Sequence, residues 1–276
     1  MNQFPNLNES IEVFNRIDFK VCIDMYLTDT AKYCDLFIPC TNTLESEDII
    51  YSPMHNPYMV YNEKISEPDH RLMDEYSFFQ EVAKTMKMNN YPQVEKDTYL
   101  SKVLSPLDIT LDQLKLEDIN LYSHEIAWED MVFLTPSKKI EIYSEKAKSD
   151  GHSPIPVYIS SLKPNKEYPM RIINPHFKQS LFSQHMYHVE GFSKLYIGET
   201  NMKDLQEGDI VRVTSKYGSI QCSVYSDNTL PKDLVYMFSG WHHKHGNPNF
   251  LTFNGSSEMG GQTAFYDTFI KIDKIY

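Results

Sequence analysis

The stretch that most limits the fold of this chain is Gly208–Ser226, GDIVRVTSKYGSIQCSVYS. Apolar and polar residues alternate through IVRVTS, a polar turn ends at Gly218, and alternation resumes through SIQCSVYS. Strand side chains point to opposite faces with period two, so this pattern predicts a hairpin with one face in a core. Ile220, Cys222 and Val224 fall on the inward face. Shorter strand patterns surround the hairpin: MRIIN from Met170, LVYMF from Leu234 and FIKID from Phe269. NMKDL from Asn201 fits one helical turn. Gly, Pro and Asn punctuate these runs closely, so residues 170–276 read as a small all-β domain, a closed barrel.

The first half has a different character. FKVCID ends at Asp24, and DLFIP is stopped by Pro39. Between these apolar strands lies TDTAKYC, where Thr28 or Asp29 can cap a helical turn. Two buried strands around a helical connection point to part of a parallel α/β sheet, and open α/β sheets bind ligands at the carboxyl ends of their strands. Tyr76, Phe79, Val82, Ala83 and Met86 recur at helical spacing within residues 73–88. Thr110 and Gln113 have capping-box spacing at a shorter helix. Residues 89–130 otherwise read as polar connections. KKIEIYSEKA alternates around Ile140 and Ile142 before turning helical toward Gly151. Residues 152–169 hold four of the 15 prolines, which remove ladder donors and fix an extended path, so they read as a linker between an α/β part, 1–151, and the barrel.

Composition excludes some functions. Hydrophobic residues make up 41% of the 276, enough for a packed core, and the net charge of −12 disfavours a nucleic-acid binder, which needs a basic face. It leaves room for one phosphorylated ligand held by backbone N–H groups. No apolar run has the length of a membrane span, and MNQFPNLNES lacks the basic and apolar regions of a secretory signal. The four cysteines form no C-x-x-C pair and read as buried free thiols, which fits a cytoplasmic protein.

FKVCIDMYLTDTAKYCDLFIPCTNTLESED resembles the strand, T-x-T-A, A-D-x-x-L-P and glutamate run of molybdopterin-dependent oxidoreductases. LTPSKKIEIYSE resembles their T-P-S-G-K-I-E motif. MRIINPHFKQSLFSQ is similar to the opening of their dinucleotide-binding domain, LQEGDIVRVTSKYGSIQCSV to its hairpin, and GNPNFLT to its late asparagine motif. These motifs follow the family's order over most of the chain and look closest to the dimethyl-sulfoxide-reductase superfamily. The resemblance implies the C-terminal end of an α/β oxidoreductase domain followed by a double-psi β-barrel. Together these would cover one side of a bis(molybdopterin guanine dinucleotide) cofactor of molybdenum or tungsten.

The departures from the family are informative. Family members are more than twice as long, and the metal ligand and any iron–sulfur cysteines lie upstream of the matching region. No cysteine run here has cluster spacing. The resemblance therefore implies a partner: an N-terminal half or separate subunit that carries the metal ligand and in some members an iron–sulfur cluster. This chain alone would be inactive. The alternative is a non-enzymatic split subunit or assembly module that docks to such a chain. Lys138 stands where the family has glycine.

Two roles fit each candidate residue. Asp24, Thr28, Asp29 and Thr30 suit either contact with the dinucleotide or capping of the turn that follows FKVCID. Asn174, His176, Gln179, Ser180, Ser183 and Gln184 offer neutral donors and acceptors to a pterin, which carboxylates would serve poorly beside phosphates. Asn247 and Asn249, flanking Pro248, suit a pterin edge or a turn. His242, His243 and His245 resemble a metal site, but neighbouring side chains diverge in an extended chain and no local Cys or carboxylate completes a set. The sequence nominates no catalytic side chain and no metal ligand.

Overall fold

The computed structural model describes residues 2–52, 56–122, 126–180, 189–257 and 261–275. Expected Ser183 and Gln184 lie outside them. In chain order the elements are α1 (Leu7–Phe14), β1 (Val21–Asp24), β2 (Leu36–Pro39), β3 (Asp48–Tyr51), β4 (Tyr58–Asn62), α2 (Glu75–Thr85), α3 (Lys96–Leu104), α4 (Leu111–Leu116), β5 (Ile119–Asn120) and α5 (Glu145–Ser149). Then follow β6 (Met170–Ile173), β7 (Lys194–Ile197), β8 (Ile210–Ser215), β9 (Ser219–Ser226), β10 (Leu234–Tyr236) and β11 (Thr268–Lys274).

Contacts divide the chain into two compact units, Met1–Ile38 with Ser160–Tyr276, and Pro39–Ile159. The composition-based boundary at the proline-rich segment therefore differs from the packing, because the first 38 residues are tied to the barrel. Asn6 N donates to Thr252 Oγ1 at 3.1 Å, and Asn8 Nδ2 donates to Tyr217 O at 2.9 Å.

The barrel is closed in the order β10-β6-β11-β8-β9-β7, with β10 returning to β7. β6 and β10 are parallel, as are β7 and β9, and the remaining neighbours are antiparallel. Two parallel pairs in a six-stranded barrel fit the double-psi arrangement. Its core holds Ile172, Leu195, Ile197, Val211, Val213, Val235, Met237, Leu251 and Ile270, all fully buried. Ile220, Cys222 and Val224 join them, as the hairpin alternation requires. Burial pushes the Cys222 thiol up to about 12. Cys22, Cys34 and Cys40, expected buried, are only half-buried because they lie on short strands or loops outside the barrel.

Two glycines shape the barrel's edge. A Cβ on Gly218 would lie 2.5 Å from Asn8 Nδ2 and 2.7 Å from Phe250 O. Gly246 combines φ +91° with a backbone so close that a Cβ would lie 2.3 Å from Gln221 O. In the same unit, Lys20 O accepts from Asp35 N at 2.8 Å and from Leu36 N at 3.1 Å. β1 and β2 thus start side by side and run the same way, as a parallel α/β remnant should.

The second unit contains an antiparallel sheet, β3-β4-β5, and helices α2–α5. α2 is two to three residues shorter at each end than its periodicity implies. Asp74 caps it by accepting from Ser77 N at 2.9 Å, and Lys87 beyond its end adopts φ +57°. α4 carries the expected Thr110–Gln113 capping box. α3 lies inside the stretch expected to be irregular. Its Leu100 and Leu104 pack with Met59, Leu111 and Leu114, so the helix forms around a small core of long-range contacts. Residues 139–143 form no strand. Ile140 and Ile142 are exposed, and Lys138 at φ +58° turns the chain where a ladder would begin. Residues 152–169 contain no helix or strand.

Candidate functional site

The site grows from the carboxyl ends of the parallel strands β6 and β10. Beyond the ladder the two segments stay together: Met237 N donates to Ile173 O at 3.1 Å, and Ser239 N to Pro175 O at 2.9 Å. Asn174 is buried, and its Nδ2 approaches Met237 O at 3.4 Å. Its Oδ1 is buried without a partner, as is Ser239 Oγ on the adjoining segment. Buried polar atoms are nearly always hydrogen-bonded, so an adjacent orphan pair at a strand end marks a place where something else completes the bonding.

The chain then enters the tryptophan–histidine turn. Its conformation is locked by a buried network that joins it to the N-terminal segment. Asn247 Nδ2 donates to Trp241 O at 2.6 Å, and Asn247 Oδ1 accepts from Asn249 N at 2.8 Å. Asn249 Nδ2 reaches Asn2 O at 2.8 Å, and Asn2 Nδ2 donates to Asp29 Oδ2 at 3.3 Å. Asp29 is 3% exposed. Its Oδ2 accepts from His243 N at 2.7 Å, and its Oδ1 pairs with the Lys32 ammonium at 2.9 Å. Burial by itself raises this carboxyl's pKa. The His243 N–H, the Lys32 ammonium and the nearby histidines outweigh burial and hold it below the usual carboxylate range.

The histidines point different ways. His242 Nδ1 lies 3.6 Å from Asp29 Oδ2. His243 packs edge-on to Phe250, 4.9 Å between ring centres, and 6.0 Å from Tyr33. Burial lowers its pKa, opposed by Asp29. His245 Nδ1 bonds Gly191 O, and its ring sits 6.0 Å from Trp241. Among the described residues no group of three or more His, Cys, Asp or Glu converges as metal ligands. Trp241 Nε1, His243 Nε2 and His245 Nε2 are buried without hydrogen-bond partners. The turn that follows Ser239 thus holds one buried indole donor and two buried ring nitrogens without partners, and its histidine rings face different neighbours.

The predicted residues therefore separate. Asn174 lies at the strand-end site with a free acceptor. Asp29, Asn247 and Asn249 come together, but these interactions brace the turn. Asp24 Oδ1 accepts from Tyr26 N at 3.1 Å in a local turn, and Thr28 Oγ1 accepts from Ala31 N at 3.4 Å. Thr30 belongs to the same short turn, where its O accepts from Tyr33 N at 3.1 Å. His176 and Gln179 are exposed, and Ser180 is half-buried. Sequence reasoning missed Asn2 and Ser239. Asn2 had no detectable signal, since its partner is 247 residues away. Ser239 could have been found as the polar residue following LVYMF at a strand's carboxyl end.

Known proteins share this sequence and fold in part. Residues 199–269 match the family model of the molydopterin dinucleotide binding domain. The chain is 29% identical over 290 aligned positions to the probable oxidoreductase YyaE of Bacillus subtilis, covering 99% of this chain and 44% of that protein. It is 21% identical to the dimethyl sulfoxide reductase DmsA of Escherichia coli, covering 100% and 40% respectively. The solved acetylene hydratase from Pelobacter acetylenicus shares the fold, with a TM-score of 0.82 at 18% identity, over 100% of this chain and 43% of that one. The chain is thus similar to molybdopterin-dependent oxidoreductases, and residues 199–269 carry the match to their dinucleotide binding domain. More particularly, its sequence corresponds to the C-terminal portion of members of the dimethyl-sulfoxide-reductase superfamily. The chain spans less than half the length of these relatives.

Proposed function

We propose that this chain holds a molybdopterin guanine dinucleotide at the carboxyl ends of β6 and β10, as the cofactor-binding portion of a molybdenum or tungsten oxidoreductase. The observation that carries this reading is the pair of buried, unpartnered oxygens on Asn174 and Ser239. Two residues after Ser239, Trp241 Nε1–H is also buried without a partner, and the barrel's residues 199–269 match a molydopterin dinucleotide binding domain. The donor set fits the group. Neutral amide, hydroxyl and indole atoms complement a pterin or guanine edge without repelling its phosphates. Asn174, Ser239 and Trp241 would hold the cofactor, and Gln179 and Ser180 lie on the segment leading away from the strand end. Asp29, Asn247 and Asn249 act behind them by fixing the turn.

When bound, the cofactor supplies the redox or Lewis-acid chemistry, and the protein supplies binding and orientation. The relatives' names include reductases and a hydratase, so the part they share with this chain leaves the reaction open. In this reading the metal ligand and any iron–sulfur cluster come from other polypeptide, 1–151 and 170–276 are the two functional portions, and the chain alone is inactive. A cytoplasmic location belongs to the same reading, supported by four cysteines that are all free thiols.

The test is a dye-linked redox assay of the isolated chain alongside acid release of guanine nucleotide. Turnover by the isolated chain would refute the division of labour. A second reading, a non-enzymatic subunit that docks to a complementing chain, is favoured by one observation. Along residues 126–159, Leu134 is 97% exposed and Tyr158 91%, with Ile140, Ile142, Val157 and Ile159 also open. Self-association that disappears on adding a complementing N-terminal polypeptide would support it, and a monomer with no affinity for that polypeptide would count against it.

A further inference from the structure

The loop that carries Asp29 begins and ends beside two cysteines. Its neck is a tight backbone junction: Lys20 O accepts from Asp35 N at 2.8 Å and Leu36 N at 3.1 Å, while Lys20 N donates to Asp35 Oδ2 at 2.7 Å. Lys20 Nζ lies 3.4 Å from the same carboxylate. Cys22 stands two residues beyond one side of this junction, and Cys34 one residue before the other. Their side chains meet. After burial, contact with Cys34 is the main influence that raises the Cys22 thiol's pKa. The Cys34 thiol in turn lies 3.4 Å from Thr30 O. Both residues are half-buried, within reach of a small reagent, whereas Cys222 is enclosed in the barrel core.

We propose that Cys22 and Cys34 are a modification site: under a two-electron thiol oxidant they close a reversible disulfide across the neck of the 23–33 loop. This inference is independent of the cofactor reading. With a diazenedicarboxamide as oxidant, the thiolate of one cysteine adds to the N=N bond. The other thiolate then attacks that sulfur and displaces the hydrazine. Two thiols lose two protons and two electrons, one S–S bond forms, and the N=N bond becomes HN–NH. A disulfide closes the loop covalently and limits the positions that Thr28, Asp29 and Thr30 can take, so the oxidation state reaches the bracing of the histidine turn. Because the Cys22 thiol is held in its protonated form, closure accelerates as pH rises.

The experiment treats the purified, reduced chain with diamide, counts free thiols and maps the linked peptides. Trypsin leaves Cys34 and Cys40 on one peptide, so chymotryptic cleavage after Phe37 is needed to separate them. The expected result is a fall from four free thiols to two. The Cys22 peptide is joined to the Cys34 peptide, and the link is reversed by a dithiol. Cys22→Ser and Cys34→Ser each abolish the link, and Cys40→Ser leaves it intact. Retention of all four thiols, a link from Cys22 to Cys40, or only intermolecular dimers would each overturn the proposal. The mapping of the unsubstituted chain stands even where a variant folds poorly.

Discussion

Replacing Asp29 with alanine tests the brace most sharply. The variant removes the acceptor for His243 N–H at 2.7 Å, a charge-assisted bond worth about 1.5–3 kcal/mol. It also removes the Lys32 pair, but that lysine is half-exposed, so screening limits its share to at most about 1 kcal/mol. The 3.3 Å bond from Asn2 is longer and weaker. The expected loss is roughly 2–4 kcal/mol for the barrel-containing unit. Asp29→Asn keeps an acceptor and loses less, and Lys32→Ala loses under about 1 kcal/mol. Urea unfolding followed by Trp241 fluorescence, in a Trp128→Phe background, measures each. The pH dependence has a fixed sign. A carboxyl whose folded pKa is depressed stabilises fully above its unfolded value near 4, and the contribution fades as pH falls through the folded value. The gap between wild type and Asp29→Ala should therefore be constant near neutrality and shrink only in acid. An unchanged urea midpoint for Asp29→Ala, or a Lys32→Ala loss as large, would refute the reasoning.

Further outcomes follow from the same structure. Ile270→Ala, inside the barrel where β11 joins β6 and β8, should lose about 2–5 kcal/mol in urea unfolding. Gly246→Ala combines a strained φ with a backbone clash and should lose more than about 2 kcal/mol, measured the same way. Lys138→Gly should hold or raise the thermal midpoint of the Pro39–Ile159 unit by relieving the left-handed φ of +58°. His243 has its pKa lowered by burial, so the unfolded chain takes up a proton below about 6.5 that the folded chain resists. Stability should fall as pH drops through that region, and His243→Gln should flatten the decline in urea midpoints.

The barrel was legible because its constraint is local and periodic. The Gly208–Ser226 alternation assigns Ile220, Cys222 and Val224 to the core without knowledge of any partner. The Thr110–Gln113 capping box was legible for the same reason. Residues 139–143 have equally good alternation yet form no strand, because a ladder needs a neighbour and the pattern cannot supply one. α3 was missed although Tyr99, Leu100, Val103 and Leu104 share a face, since its short apolar stripe gains its stability from Met59 and α4. Asn174 was nominated from its place after a strand, and its Oδ1 is buried there without a partner. The asparagines at 247 and 249 were nominated for a pterin edge or a turn, and the sequence could not show that their amides are spent on Trp241 and Asn2, 6 and 247 residues away.

The measurement closest to the central claim is the guanine nucleotide and pterin released by acid from the protein purified anaerobically from its own cells, in the assembly found there, wild type beside Asn174→Ala. The account predicts that both compounds accompany the wild-type chain. In the variant they should be depleted, with the barrel's urea midpoint nearly unchanged, because losing one buried acceptor weakens binding by about 1–3 kcal/mol, roughly 5- to 150-fold. Release of no guanine nucleotide from the wild type, or equal release from a well-folded variant, would contradict it.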